Sequence, residues 1–288
     1  MTPLAKKDNA MKHLHFKRNI APAAAAAALA LATLPAAAAD WSDTSIGFRT
    51  GNHFGEPFGV NDIHKNIFSL THVDGVKWGS NFFNVDLLQS DNKDSEAQEA
   101  YIVYRFTLDL EKTTGTKFAW GPIRGTGITA GFDWNTKNDP GYASKKRMLV
   151  LGPTFSMDVP GFLNAGIYLL DESNKPVGIA SRYTYKTHAM LGLSWGIPLG
   201  GSGWAFEGFA DWIASKGKDE FGGDTAAEFN FDGQVMYDVG APMGMGKGKL
   251  KAGVEYQYWR NKFGNPYRGP AGPGAFAKTP MLRVEYHF

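Results

Sequence analysis

The chain has 288 residues, no cysteine, 14% aromatic residues and a near balance of 30 basic against 28 acidic side chains. Without cysteine it can hold neither disulfides nor thiolate metal sites. After residue 39 no apolar stretch approaches the roughly 20 residues that a membrane-spanning helix needs, although the aromatic content is high.

The first 39 residues read as targeting rather than fold. A second start at Met11 places Lys12, Lys17 and Arg18 before an apolar run from Ile20 to Leu34, which is too short to span a bilayer as a helix. Pro35 breaks that run, and Ala37-Ala38-Ala39 before Asp40 supplies the small-residue cleavage pattern of a secretory signal peptide. The expected layout is a signal peptide over 1–39 and one barrel domain over 40–288. Removing the first segment takes away five basic residues and one acidic residue, leaving 25 and 27. No basic stripe remains, so a nucleic-acid polymer is excluded as a partner.

Alternation with a period of two then runs through the chain. Weaker two-sided segments near 43–51, 65–74 and 77–89 come first. In the next strand Ala100, Ile102, Tyr104, Phe106, Leu108 and Leu110 share one face, and Glu99, Tyr101, Arg105, Thr107 and Asp109 the other. Ile128, Phe132 and Trp134 oppose Thr129, Asp133 and Asn135, and Leu149 and Leu151 oppose Met148 and Thr154. After a weaker segment at 162–171, a strand from Arg182 to Trp195 sets Tyr183, Leu191 and Leu193 against Lys186, His188 and Ser194. Trp204, Phe206 and Trp212 oppose Glu207, Phe209 and Asp211; Phe229, Phe231 and Tyr237 oppose Glu228, Asp232 and Gln234. Val254, Tyr256 and Tyr258 oppose Glu255, Gln257 and Trp259. The sequence closes on Leu282, Val284, Tyr286 and Phe288 against Arg283, Glu285 and His287.

These segments make twelve strands, and an even number is expected of a bacterial barrel. The expected fold is therefore all-β: a twelve-stranded antiparallel transmembrane β-barrel of the outer membrane, preceded by a signal peptide. Tight breaks at Asp74-Gly75, Pro160-Gly161 and Pro198 to Gly203 alternate with longer polar connections. The short ones are assigned to the periplasm with both termini, the long ones to the outside. Trp134, Trp195, Trp204, Trp212, Tyr183, Tyr258 and Tyr286 lie on the apolar parity near strand ends, where an interfacial aromatic girdle belongs.

The residues do not point to an enzyme, a metal or a cofactor. His53, His64, His72, His188 and His287 are scattered without metal-ligand spacing, and no G-x-S-x-G elbow occurs. The glycine-rich stretches Gly196 to Gly203 and Gly240 to Gly248 open no helix and read as turns. Chemistry is expected in the lumen instead. A twelve-stranded barrel is wider than the filled eight-stranded kind and narrower than the large porins. Its inward parity offers Phe82, Asp86, Glu99, Tyr101, Arg105, Asp109, Asp133, Lys186, Glu207, Phe209, Asp211, Glu228, Asp232, Glu255, Gln257 and Trp259. Aromatic faces beside hydrogen-bonding groups suit a nucleobase joined to a ribose, whereas charges that pair with one another merely fill the space.

Long specific runs carry a resemblance: RTGNHFGEPFGVNDIHKNIFSLTHVDGVKWGSNFFNVDLLQSDNKD from Arg49, then YIVYRFTLDL, GFDWNTK, SKKRMLVLGP, IASKGKDEFGGDT, EYQYWRNKFGN and GPAGPGAFAKTPMLRVEYHF. They resemble the OmpK branch of the Tsx-type nucleoside-channel family over essentially the whole mature chain. The resemblance implies a monomeric twelve-stranded outer-membrane barrel that passes nucleosides by passive diffusion. It also implies a receptor role for phage through exposed loops. A surface receptor or adhesion barrel is the alternative reading, with its function in the long connection from Arg260 to Lys278. Expected partners are outer-membrane lipid, small polar solutes and the barrel-assembly machinery, the last through the closing strand.

Overall fold

A computed structural model describes residues 39–288, and the expected signal peptide lies outside them. The chain runs through β1 (Ala39–Phe54), β2 (Ile63–Val76), β3 (Gly79–Ser90), β4 (Gln98–Asp109), β5 (Ile123–Lys137), β6 (Arg147–Met157) and β7 (Phe162–Asn174). It continues through β8 (Tyr183–Thr184), β9 (His188–Pro198), β10 (Trp204–Ile213), β11 (Glu228–Asp238), β12 (Leu250–Arg260) and β13 (Phe276–His287). Each wall strand pairs antiparallel with its neighbours, and β1 meets β13 from Ser45↔His287 to Gly51↔Met281. The two-residue β8 hangs on the end of β7, which pairs directly with β9. Leaving β8 aside, twelve strands form a closed ring, the number read from the alternation. Closure satisfies the backbone of every wall strand and leaves no sheet edge, the condition for crossing hydrocarbon without helices.

The outward face is apolar. Leu149, Leu169 and Leu282 are each more than half exposed, and Ile46, Phe68, Ile167, Leu191 and Val254 continue the belt. Aromatic residues border it at both ends: Trp41, Trp78, Trp120, Trp204 and Tyr286 toward the termini, Trp134 and Trp212 toward the long connections. Such a belt between two girdles is what a bilayer requires of a barrel wall. Trp195 departs from the expected girdle. Only 7% exposed, it lies flat against the wall between Phe206 and Phe231. Gly208 leaves it room, since a Cβ there would stand 2.9 Å from the indole.

Short and long connections alternate except at 110–122 and 239–249, which are long although they lie at the termini end. At the termini end the first hairpin turns at Lys77 and Trp78, three residues beyond the expected Asp74-Gly75. Gly75 is a wall residue; a Cβ on it would strike Nε1 of Trp41 at 2.1 Å. The long β4–β5 connection at this end contains a short helix, α1 (Leu110–Thr114), whose N-cap is Asp109. Asp109 therefore sits on the last rung, where its carboxylate accepts from the Lys112 N–H at 3.0 Å.

Candidate lumen site

Because side chains alternate along each strand, the residues opposite the apolar belt face the lumen. They fall into three groups with different partners.

Around the seam of β1 and β13 the lumen residues pair with one another. Arg49 Nη2 stands 2.6 Å from Asp86 Oδ2, and Asp86 also accepts from Ser69 Oγ at 2.8 Å and Asn84 Nδ2 at 3.1 Å. Arg283 Nη1 reaches Glu255 Oε2 at 2.7 Å and its Nη2 reaches Glu285 Oε1 at 2.5 Å. The β4–β5 wall repeats the pattern. Asp133 accepts from Arg105 Nη1 at 2.5 Å and from the Tyr101 hydroxyl at 3.0 Å. A ladder of hydroxyls follows, with Thr107 to Thr129 at 2.8 Å, Thr129 to Thr154 at 2.6 Å and Thr154 to Tyr168 at 2.8 Å. Pairs of this kind hold neighbouring strands in register, although Arg49 Nε and Glu255 Oε1 stay 3.6 Å apart without a hydrogen bond and burial of the charges has its own cost.

The wall from β10 to β12 is different. Glu207 is paired, accepting from Lys251 Nζ at 3.0 Å and Gln234 Nε2 at 2.9 Å. Asp232 accepts from Gln257 Nε2 at 3.1 Å and Glu228 from Trp259 Nε1 at 2.5 Å, and neither forms an ion pair among the described residues. Asp211 has neither an ion pair nor a hydrogen bond there, although it points inward with Phe209. Phe209 is 37% exposed within the lumen. On the opposite side, six strands away in a ring of twelve, Phe82 of β3 is 38% exposed on the inward parity. The barrel thus holds two open aromatic faces on opposing walls, one of them flanked by carboxylates that form no ion pair among the described residues.

The long connections fold into the mouth above these walls. Glu56 Oε1 lies 2.8 Å from Lys65 Nζ and 3.0 Å from Lys262 Nζ, and its Oε2 lies 3.4 Å from Lys137. Lys137 also meets Asp94 at 2.9 Å, and Lys65 lies 3.6 Å from Glu99. Burial alone would raise the Glu56 carboxyl, but Lys262, Lys65 and Lys137 outweigh it and hold the group well below the usual carboxylate range. Lys262 moves the other way: burial lowers it, Glu56 offsets this in part, and Lys65 and Lys137 add repulsion. The turn carrying Lys262 is tight, with Asn261 at φ 53° and Phe263 at φ 59°. Non-glycine residues in that region store strain that the surrounding contacts must hold. Those contacts come from several sides. Lys262 Nζ stacks 4.8 Å from Trp259, Lys146 lies 5.7 Å from Phe263, and the Ala226 N–H donates to the Gly264 carbonyl at 2.8 Å.

Thirteen of the sixteen candidate residues lie on wall strands with the contacts just given: Asp86, Glu99, Tyr101, Arg105, Asp133, Glu207, Phe209, Asp211, Glu228, Asp232, Glu255, Gln257 and Phe82. Trp259 joins them on the wall but is engaged by the inward turn, and Asp109 caps α1 at the rim. Lys186 corrects the reading: the strand from Arg182 is interrupted after Thr184, and Lys186 is exposed in the connection that precedes β9. A second correction concerns Glu172, one residue beyond the expected segment at 162–171. It belongs to β7 and is 4% exposed, pairing with Lys216 at 2.6 Å and Lys146 at 3.7 Å. The parity signal could have found it, since Leu170, Glu172 and Asn174 continue the inward row.

No family model matches the chain, and no curated protein matches it. Among solved structures it is similar to the KdgM porin in complex with disordered oligogalacturonate, at 11% identity over 85% of this chain and 99% of that chain, with a TM-score of 0.43. The NanC porin gives 10% identity, 86% and 99% coverage and a TM-score of 0.44. The translocator domain of the autotransporter NalP from Neisseria meningitidis gives 12% identity, 93% and 98% coverage and a TM-score of 0.48. At these identities and TM-scores the likeness says nothing of what the lumen passes.

Proposed function

We propose that the protein is an outer-membrane channel for passive, weakly selective diffusion of nucleosides or similar small polar solutes. Both termini and the short connections lie in the periplasm in this reading, and assembly proceeds through the closing strand. The apolar belt between two girdles supports the membrane placement. The observation that carries the solute class is the pair of exposed inward rings, Phe82 and Phe209, with Asp211 and Asp232 beside the latter. A ring offers a face to a nucleobase, and carboxylates accept from ribose hydroxyls. The sequence runs that resemble the Tsx-type family support the same class. Swelling of liposomes bearing the purified barrel should be faster with nucleosides than with sugars of similar size, and equal rates would sink the selectivity.

The receptor reading places function in the connection between β12 and β13. Much of that connection is packed rather than projecting, with Asn261, Lys262, Gly264, Ala271, Gly274 and Ala275 buried. This supports a lid over the lumen more than a free adhesive arm. Deleting 268–270, at the exposed tip of that connection, would abolish phage attachment without altering conductance if the receptor reading held.

A further inference from the structure

The outward wall at the long-connection end is not uniformly apolar. Between β5, β6 and β7 it opens into a cleft of about 540 Å³ bordered by Trp134, Leu149, Asp171, Arg147 and Arg182. The cleft joins two chemistries. Below, Leu149 is 61% and Trp134 47% exposed, and Leu151 and Leu169 continue the apolar surface toward the middle of the belt. Above, Arg147 is exposed and forms no ion pair or side-chain hydrogen bond among the described residues. Arg182 is tethered on one side only. Its Nη1 donates to the Lys145 carbonyl at 2.8 Å and to Ser173 Oγ at 3.4 Å, which leaves its remaining N–H groups free.

The two guanidinium groups are neighbours. Partial burial and then the charge of Arg147 lower the Arg182 pKa, and no carboxylate offsets them. Two acids border the cleft: Asp133 is committed to Arg105 at 2.5 Å, and Asp171 faces outward one rung deeper, opposite Leu149, without an ion pair among the described residues. Two adjacent guanidinium forks repel each other until an anion with several oxygens joins them, and phosphate fits that geometry better than any protein carboxylate here. Their position at the upper limit of an exposed apolar surface also fixes what the rest of the ligand must be. It needs a charged head at the rim and hydrocarbon below it.

We propose that this cleft binds a phosphorylated glycolipid of the surrounding leaflet, its phosphate held by Arg147 and Arg182 and an acyl chain lying along Leu149, Leu151 and Leu169. The proposal rests on the membrane placement of the barrel, with the long connections outward, and not on which solute the lumen passes. A second outward hollow provides an internal contrast. It is bordered by Phe206, Phe231, Val235, Val254, Tyr256 and Leu282 and carries no guanidinium, so lipid held there would be indifferent to phosphate.

Native mass spectrometry of the purified full barrel tests this with three probes. They are a bis-phosphorylated, acylated glucosamine disaccharide, the same lipid with both phosphates removed, and inorganic phosphate. The phosphorylated lipid should be retained, and retention should fall about tenfold or more in Arg147→Gln, which removes one charge-assisted contact and no contact within the protein. Asp171→Asn should strengthen retention, because it removes the one lining carboxylate that Arg105 does not already hold. Equal retention of the dephosphorylated lipid, or unchanged retention by a folded Arg147→Gln barrel, would overturn the proposal. Inorganic phosphate that displaces nothing supports the lipid assignment. Phosphate bound at these arginines with no lipid retained would overturn it in favour of a free anion. Conductance of the same Arg147→Gln barrel should equal that of the unaltered protein, so a failure of the channel reading would show separately.

Discussion

Lys262 and Glu56 face each other beside the barrel's closing seam, with Nζ 3.0 Å from Oε1, and this pair ties the last long connection to the first. Lys262 is further held by the Gly55 carbonyl at 2.7 Å. Three lysines meet at Glu56; Lys137 keeps Asp94 and Lys65 keeps Glu99 when that carboxylate is removed, so Lys262 is the one left without an ion pair among the described residues. Breaking a buried pair from one side costs about 3–5 kcal/mol, more than a strained turn of this size can absorb. Glu56→Gln should therefore release the Asn261 to Asn265 turn from the mouth. Single-channel recordings should show higher and noisier conductance, and a current identical to the unaltered channel would contradict the tie.

The same pair sets a pH dependence with a defined sign. Glu56 is held below its ordinary value of 4.5 when the turn is docked. Docking is thus fully supported above that value and weakens as pH falls toward the docked pKa. Lys262 is lowered from 10.5, so its own contribution improves as pH rises through its docked pKa. Glu56 predicts a mouth that loosens in acid, whereas the Lys262 contribution changes only on the way up to its ordinary 10.5. Conductance of the unaltered barrel should climb as pH drops below about 4.5, whereas Glu56→Gln should lack that step. A step of equal size in both would assign it to carboxylates elsewhere in the lumen.

The wall was legible in the sequence because burial on one side and lipid on the other impose the period of two on every strand. Ile128, Phe132 and Trp134 against Thr129, Asp133 and Asn135 reappear as outward and inward rows of β5. The signal fades where its cause does. Near the rim of β7 the outward face has left the apolar belt, Asp171 and Ser173 replace leucines, and Glu172 looks like part of a polar loop. Lys186 shows the converse, since Tyr183 and Tyr185 continue an apolar row through a chain that turns away from the wall. The cluster of Glu56, Lys65, Lys137 and Lys262 had no local signal at all. It joins residues as far apart as 206 positions, and only the ring closure brings them together.

Phe209 is the inward ring with open space and unneutralised carboxylates beside it, so it should carry most of the solute's stacking. Phe209→Ala should weaken nucleoside block of the current by about 1–3 kcal/mol, the range for stacking a base on an aromatic ring. Sugar permeation should be unchanged or faster. Phe82→Ala, on the opposite wall, should give a smaller loss, because Asp86 above it is already committed to Arg49. Titration of thymidine in planar bilayers measures both variants, and loss of sugar and nucleoside flux together would indicate a structural defect instead.

Phe288 tests the girdle rather than the lumen. Its ring is 59% exposed beside Tyr286, at a centroid distance of 5.4 Å, while its N–H donates to the Thr44 carbonyl at 2.9 Å. The backbone contact survives any side chain there, so Phe288→Asp changes only what meets the bilayer interface. A charge on the lipid face costs about 0–1 kcal/mol near an interface, and the loss of the aromatic anchor adds to it. Folded yield into vesicles should fall, with a smaller deficit for Phe288→Tyr. Normal yield of the aspartate variant would place this end of the wall outside the interface.

Asp211 decides the charge preference of the pore. The seam and the β4–β5 wall contribute no net field of consequence, because Arg49, Arg105 and Arg283 are each matched by a carboxylate at contact distance. Among the described residues Asp211, Glu228 and Asp232 of the β10–β11 wall have no paired cation, so in their ionised form they would attract cations and repel anions there. A channel with that wall should admit neutral nucleosides and disfavour their phosphate esters. In a salt gradient the reversal potential should show cation preference, and Asp211→Asn should reduce it without altering the fold, since that carboxylate holds no other residue. Anion preference in the unaltered barrel, or a variant with the same reversal potential, would mean that ions pass along another wall.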